Sequence, residues 1–183
     1  GITIDNLGNI YVGDSNNNRV QKFDSNGVFI SKWGSIGTGD GQFFWPTGIK
    51  INNSGDIYVV DSFNSRIQKF NSSGTFSSKW GSRGSGDSQF NSPYGIAIDN
   101  LSNIYVADMY NHRVQKFDSN GTFINKWGNA GNADGELKEP YDIALDATGN
   151  IYVLDAGNSR IQKFDSTGTF LSKLGSYGTD VGQ

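Results

Sequence analysis

The stretch NIYVADMYNHRVQKFDSNGTFINKWG, residues 103–128, occurs four times with small changes along a chain of 183 residues. Aligning the copies gives a period of 47. Tyr11, Tyr58, Tyr105 and Tyr152 coincide, as do Asp14, Asp61, Asp108 and Asp155. Arg19, Arg66, Arg113 and Arg160 form a third series, and Gly34, Gly81, Gly128 and Gly175 a fourth. The repeats run 1–47, 48–94, 95–141 and 142–183. A period of about 40 to 50 residues marks one supersecondary unit used several times, so the whole chain reads as a single repeat domain.

Each repeat predicts four short strands. In the third copy these are Gly95 to Ile98 (strand a), Ile104 to Ala107 (b), Val114 to Phe117 (c) and Phe123 to Trp127 (d). Strand b is continuously apolar, as a strand covered on both faces should be. Strand d alternates apolar and polar residues, as a half-exposed outer strand should. The turns Asp99 to Ser102 and Asp118 to Gly121 carry Asp, Asn, Ser and Gly, which supply positive φ and side-chain bonds to the backbone. Four-stranded antiparallel units repeated without intervening helices predict an all-β β-propeller of four blades. A solenoid would use fewer strands per unit.

Composition narrows the function. A net charge of −3 and a pI near 5.0 argue against a general phosphate-binding surface. The lysines recur at fixed repeat positions and form no basic block. Zero cysteines exclude a disulfide scaffold and a thiolate metal site. No apolar run approaches the ~18 residues of a membrane-spanning helix, so membrane insertion is not expected. The chain opens at Gly1-Ile2-Thr3-Ile4, already inside a repeat, and is read as a piece of a longer polypeptide. The compartment stays open, with an extracellular or cell-surface setting the mild preference.

The run Asn111-His112-Arg113-Val114-Gln115-Lys116-Phe117, preceded by Tyr105-Val106-Ala107-Asp108, resembles the NHL-repeat family. The other copies read NNRVQKF, NSRIQKF and NSRIQKF. The segments from Gly39 to Pro46 and from Gly86 to Pro93 resemble that family's blade-to-blade connection. Neither the Trp-Asp dipeptide of WD propellers nor the Gly-Gly doublet of kelch repeats is present. The resemblance implies a propeller that usually has six blades, of which this chain supplies four. Two further blades outside the chain, self-association through open terminal blades, and a closed four-blade ring are the three ways to cover the flanks. The first is preferred, because large exposed apolar patches are rare on soluble monomers.

The chemistry-bearing residues mostly read as structure. The pairs Asp14–Arg19, Asp61–Arg66, Asp108–Arg113 and Asp155–Arg160 face each other across the b–c loop and are expected to pin every blade. Trp33, Trp80 and Trp127, with Leu174 in the fourth copy, are expected to anchor blade to blade. His112 is the only histidine and has no partner for a zinc site or a triad; a surface loop role is expected. The resemblance includes a metal-dependent lyase that relies on histidines, but Asn18, Ser65 and Ser159 stand at the equivalents of His112. Residues 132–139 space oxygens somewhat like a calcium loop without its full pattern, and a hydrogen-bonded turn is expected there. No cofactor or metal is expected.

Positions that differ between copies are the better guide to function. They fall in the b–c loops and the d–a connections, which a meander places at one end. That end is expected to carry Phe44, Trp45, Phe63, Arg83, Met109 and Tyr110, residue types that dominate binding hot spots. Lys50 and Asp142 depart from the pattern of strand a, the innermost strand, and are expected to approach the central channel. The leading expectation is a non-catalytic module that binds a protein, peptide or glycan. The alternative is a lyase- or hydrolase-like enzyme whose channel site is completed by other blades. RNA binding, as in NHL proteins joined to ubiquitin-ligase domains, is disfavoured by the acidic balance.

Overall fold

A computed structural model describes residues 1–183. Two compact units divide the chain, Gly1–Pro93 and Tyr94–Gln183. In the first, β1 (Ile2–Ile4), β2 (Ile10–Asp14), β3 (Arg19–Phe23) and β4 (Phe29–Trp33) form one antiparallel sheet. A second sheet holds β5 (Pro46–Ile51), β6 (Ile57–Asp61), β7 (Arg66–Phe70) and β8 (Phe76–Trp80). A two-stranded parallel ladder follows, β9 (Ser82–Arg83) against β10 (Gln89–Phe90). The second unit carries the sheet of β11 (Pro93–Ile98), β12 (Ile104–Asp108), β13 (Arg113–Phe117) and β14 (Phe123–Trp127). Its other sheet is β15 (Pro140–Leu145), β16 (Ile151–Asp155), β17 (Arg160–Phe164) and β18 (Phe170–Leu174). The fold is all-β, with each four-stranded sheet a blade of a β-propeller.

Strand order within every blade is sequential, the consequence of short turns that favour pairing with the next strand. The a–b turn closes through the Asp99 carboxylate, which accepts the Leu101 and Asn103 N–H groups at 2.9 and 2.8 Å. Asp118 repeats this at the c–d turn, accepting from Asn120 and Thr122 at 2.8 Å each. Such bonds replace a backbone turn with a side chain. Those donors hold the Asp118 carboxyl below its ordinary pKa, the Thr122 N–H first among them.

Two features go beyond the sequence reading. A single turn of 3-10 helix occupies each b–c loop, as at Met109–Asn111, so the repeats are not wholly free of helix. The innermost strands start at Pro46, Pro93 and Pro140, two residues ahead of the boundaries at 48, 95 and 142.

The b–c loop is closed by a buried ion pair. In β16 and β17, Asp155 pairs in register with Arg160, and Nε of Arg160 lies 2.7 Å from Oδ2 of Asp155. The carboxylate also accepts from Asn158 and Gln162 and from the Lys138 N–H. The remaining Arg160 nitrogens donate to the carbonyls of Asn132, Ala133 and Glu136 at 2.8 Å each. Asp61 and Arg66 do the same in the first unit, with Thr38, Gly39 and Gln42 supplying the carbonyls. One side chain thus locks a blade to the connection that leads into it.

The end of strand d makes the apolar counterpart. The Trp33 ring sits 6.0 Å from Phe70, and a Cβ on Gly74 would lie 2.8 Å from the indole, so only glycine fits there. Trp127 repeats this on Phe164 and Gly168 in the second unit. The buried Nε1 of Trp33 and of Trp127 has no hydrogen-bond partner. Packing alone therefore holds the ring; Leu174, at the equivalent place in the fourth blade, is 57% exposed and, contrary to expectation, anchors no neighbouring blade of this chain. Asp155→Ala should lower the unfolding free energy by about 3–5 kcal/mol, the usual cost of stranding half of a buried pair. Asp14→Ala should cost less than half as much, because its pair is 29% and 18% exposed. Urea unfolding of both variants checks the order.

Candidate functional site

The first unit brings the b–c loop of its second blade against the connection from the first. The Phe63 N–H donates to the Phe44 carbonyl at 3.1 Å, and the Ser62 N–H to that of Trp45 at 3.4 Å. The buried Asp61 carboxylate accepts the Phe44 N–H at 2.7 Å. These bonds hold three aromatic rings together. Phe44 meets Phe63 edge-on at 5.1 Å, and Trp45 stacks on Phe63 at 5.8 Å with planes 14° apart. Phe44 is 44% exposed and Phe63 53%, far more than is usual for rings that large.

Arg83 lies exposed on β9, and with Phe63, Ser65, Asn91 and Ser92 it lines a groove of about 260 Å³. Four of the residues singled out by sequence variation, Phe44, Trp45, Phe63 and Arg83, are thereby grouped in one unit. Lys50 stands apart from them. It is half-buried on β5, opposite Tyr58.

Hydrogen bonds hold this loop end in a strained backbone conformation. Trp45, Ser92 and Glu139 each precede a proline and have φ of 62°, 51° and 50°, a left-handed conformation that costs non-glycine residues of order 1 kcal/mol or more. A side chain from the preceding b–c loop holds two of them. The Trp45 N–H donates to Oδ1 of Asn18 at 2.8 Å, and the Glu139 N–H to Nδ1 of His112 at 3.1 Å.

The lone histidine is therefore more than a surface loop residue. It caps a strained backbone N–H, as Asn18 does in the first unit. The signal was in the sequence, since Asn and His share this repeat position and both accept hydrogen bonds.

In the second unit, Tyr110 is 51% exposed and Met109 half-buried, both on the 3-10 turn before His112. Asp142 is exposed on β15, its Oδ1 accepting the Ile143 N–H. It lies close to Gly95, where an added Cβ would come within 2.5 Å of the Asp142 Cα. Beside it Tyr94 and Tyr141 are 3.9 Å apart, ring centre to ring centre. In the segment 132–139 two carboxylates have partners. Glu136 accepts the Ala133 N–H at 2.9 Å, and Asp134 pairs with Lys173 at 2.6 Å. It is a hydrogen-bonded turn.

The a–b turns, at the other end of the blades, make grooves that the sequence reading passed over. One of about 230 Å³ lies beside Leu7 in the first unit and one of about 550 Å³ beside Leu101 in the second. Both leucines are 84% exposed. Leucine at this turn position alternates with Ser54 and Thr148, a two-blade pattern that the sequence shows once the turns are aligned.

No curated protein matches the chain in sequence. A family described as 6-bladed beta-propeller (DUF5128) matches residues 2–78 and 85–175. The chain belongs to that family. Its fold is similar to a catalytically inactive variant of virginiamycin B lyase from Staphylococcus aureus, solved with quinupristin, at a TM-score of 0.74 and 16% identity over 96% of this chain and 54% of that one. A streptogramin B lyase gives 0.74 and 20% over 94% and 53%. Hydrazine synthase of Kuenenia stuttgartiensis gives 0.72 and 11% over 94% and 47%. The chain thus spans about half the length of these structures.

Two measurements follow from this geometry. His112→Asn should leave stability within a few tenths of a kcal/mol, whereas His112→Ala should cost about 1–3 kcal/mol for a strained N–H left without its acceptor; thermal or urea unfolding separates them. Burial, reinforced by the hydrogen bond with Tyr141, pushes the Tyr94 phenol up to about 12. The unfolded phenol ionises near ~10, so the unfolded chain gives up this proton first and stability falls as pH rises from about 10 to about 12. Tyr94→Phe should flatten that fall in thermal melts taken across the window.

Proposed function

We propose that this chain is a non-catalytic binding module built of NHL-type repeats, presenting its b–c and d–a loops to a protein, peptide or glycan. One observation carries the reading: the cluster of exposed Phe44 and Phe63 with half-buried Trp45, beside Arg83, on loops held by backbone hydrogen bonds. Rigid aromatic and Arg side chains lose little entropy on binding and supply most of the energy at interfaces. The equivalent loop of the second unit presents Met109 and Tyr110. Met there is an adaptable apolar contact.

The enzyme reading draws support from the lyases that share the fold, yet fold is a weak guide to activity. Within this chain no group of three or more His, Cys, Asp or Glu side chains gathers to hold a metal. The repeat carboxylates are engaged by Arg, Asn and Gln donors. Lys50 and Asp142 remain the residues on which a channel site would be tested.

Peptide libraries and glycan arrays offered to the immobilised chain should yield ligands of the loop end. Phe63→Ala should weaken such a ligand by at least about 30-fold, a hot-spot loss of about 2 kcal/mol, and Arg83→Ala by a similar factor. Ile124→Ala on the outer strand should leave binding unchanged. Ligands whose affinity ignores Phe63 and Arg83, or turnover that depends on Lys50 or Asp142, would overturn the reading.

A further inference from the structure

The connection that leaves the second blade breaks a pattern kept by the connections before and after it. At the residue ahead of proline, the Trp45 N–H donates to Asn18 and the Glu139 N–H to His112. Ser92 is the corresponding residue here, left-handed at φ 51°, and Ser65 stands at the place of Asn18 and His112. A serine oxygen sits one atom nearer the backbone than an asparagine oxygen, and the bond is not made. The Ser92 N–H has no acceptor in the chain, and the hydroxyl of buried Ser65 has no partner.

Two further differences surround these groups. Where the other connections carry Phe44-Trp45 and Lys138-Glu139, this one carries Asn91-Ser92, small and uncharged. Arg83 occupies the position of Ile36, Ala130 and Tyr177. Arg19, Arg66, Arg113 and Arg160 are each paired with an aspartate. The Arg83 side chain is exposed and pairs with nothing in the chain, so its whole fork is unspent.

These residues converge on one groove. Ser65, Arg83, Asn91 and Ser92 line the space of about 260 Å³ beside Phe63, and no carboxylate is among the lining residues. By the geometry of the repeat, the Ser92 N–H points toward the Ser65 side chain. A backbone N–H, hydroxyls and a guanidinium together form a set of donors that selects an anion.

The surroundings decide what carries that anion. Phe63 lines the groove and also meets Phe44 edge-on at 5.1 Å, so an apolar surface begins where the groove ends. A peptide sets adjacent side chains, one acidic and one apolar, on the two surfaces. Its carboxylate matches the guanidinium fork through two parallel bonds. An acidic sugar supplies the carboxylate and hydroxyls, yet offers no apolar side chain to the exposed Phe44 ring.

We infer, resting on the binding-module reading, that the loop end of the first unit recognises an acidic peptide segment. The carboxylate of one Asp or Glu residue is held in the groove by Arg83 and the Ser92 N–H, and an adjacent apolar residue packs on Phe44 and Phe63. Ser65 is short enough to leave that N–H to the ligand, and Arg83 supplies the charge.

A library of acetylated, amidated hexapeptides offered to the immobilised 183-residue chain should enrich a glutamate or aspartate next to an apolar residue. Titration calorimetry then compares a selected glutamate peptide with its glutamine counterpart. The glutamate form should bind at least about tenfold more tightly, the size expected of a hydrogen-bonded charge, and added salt should narrow the gap. Arg83→Gln should bring the two peptides within about threefold of each other.

Ser65→Asn tests the backbone donor. It supplies the side chain that closes on this N–H at Asn18, and asparagine accepts the φ of 52° at this position more readily than serine. The variant should melt no lower than the parent and lose most of the glutamate preference. Phe63-dependent peptides bound without regard to glutamate, or a preference that survives both Arg83→Gln and Ser65→Asn, would overturn the inference while leaving the binding-module reading standing. Uronic-acid oligosaccharides that bind through Arg83 where no acidic peptide does would overturn the assignment to a peptide. A loop end that binds neither peptides nor glycans would overturn both.

Discussion

A buried carboxylate organises each complete blade. Asp61 and Asp155 are fully buried, and a charge so placed is tolerated only when its partners are close and numerous. Each accepts from an arginine, an asparagine, a glutamine and a backbone N–H of the incoming connection. The arginine is then committed on two sides, Nε to the carboxylate and the rest of its fork to carbonyls. Lysine could not do both, since an ammonium is a point charge without a fork. The requirement fixes the length of the b–c loop and the shape of the connection together, which explains why these segments keep their spacing in every copy.

That commitment frees the neighbouring side chains. Once Asp61 holds the Phe44 N–H and Asn18 holds that of Trp45, the backbone of the loop end is set without help from the Phe44 ring, and the ring can face solvent. The same holds for Met109 and Tyr110, which precede in the same loop the His112 that fastens Glu139. Variation between copies is concentrated where side chains have been relieved of structural work, and it avoids the positions that fill the lock. The variable residues are free to differ because the invariant ones are not.

The fold was legible because period, apolar strands and turn residues all pointed to the same blade. Strands a to d fall within two residues of their expected bounds, since hairpin register is set by alternation and turn length. The loop end was legible as a list of residues and not as a geometry. The stacking of Trp45 on Phe63 depends on a left-handed residue before proline, a conformation that sequence rules assign to glycine or asparagine. The two-residue β9–β10 ladder is too short to leave a periodic signal. His112 was read through the chemistry histidines usually supply, when its repeat partner Asn18 showed that an acceptor was what the position needs. The grooves beside Leu7 and Leu101 were missed for a different reason: only an alternation across blades, not within one, distinguishes them.

The likeness to lyases bears on scaffold more than on chemistry. Identities of 16% and 20% with a TM-score of 0.74 mean that the backbone is retained while most side chains are replaced. A propeller permits this because its stability resides in locks and anchors that repeat from blade to blade, which leaves other side chains free to change. Catalysis would require titratable groups to converge with their donors and acceptors unspent. In this chain the carboxylates of the lock, Asp61 and Asp155, are saturated, and those of the turns, Asp99 and Asp118, accept their own backbone. What is left unspent at the loop end of the first unit is aromatic surface and one guanidinium, Arg83.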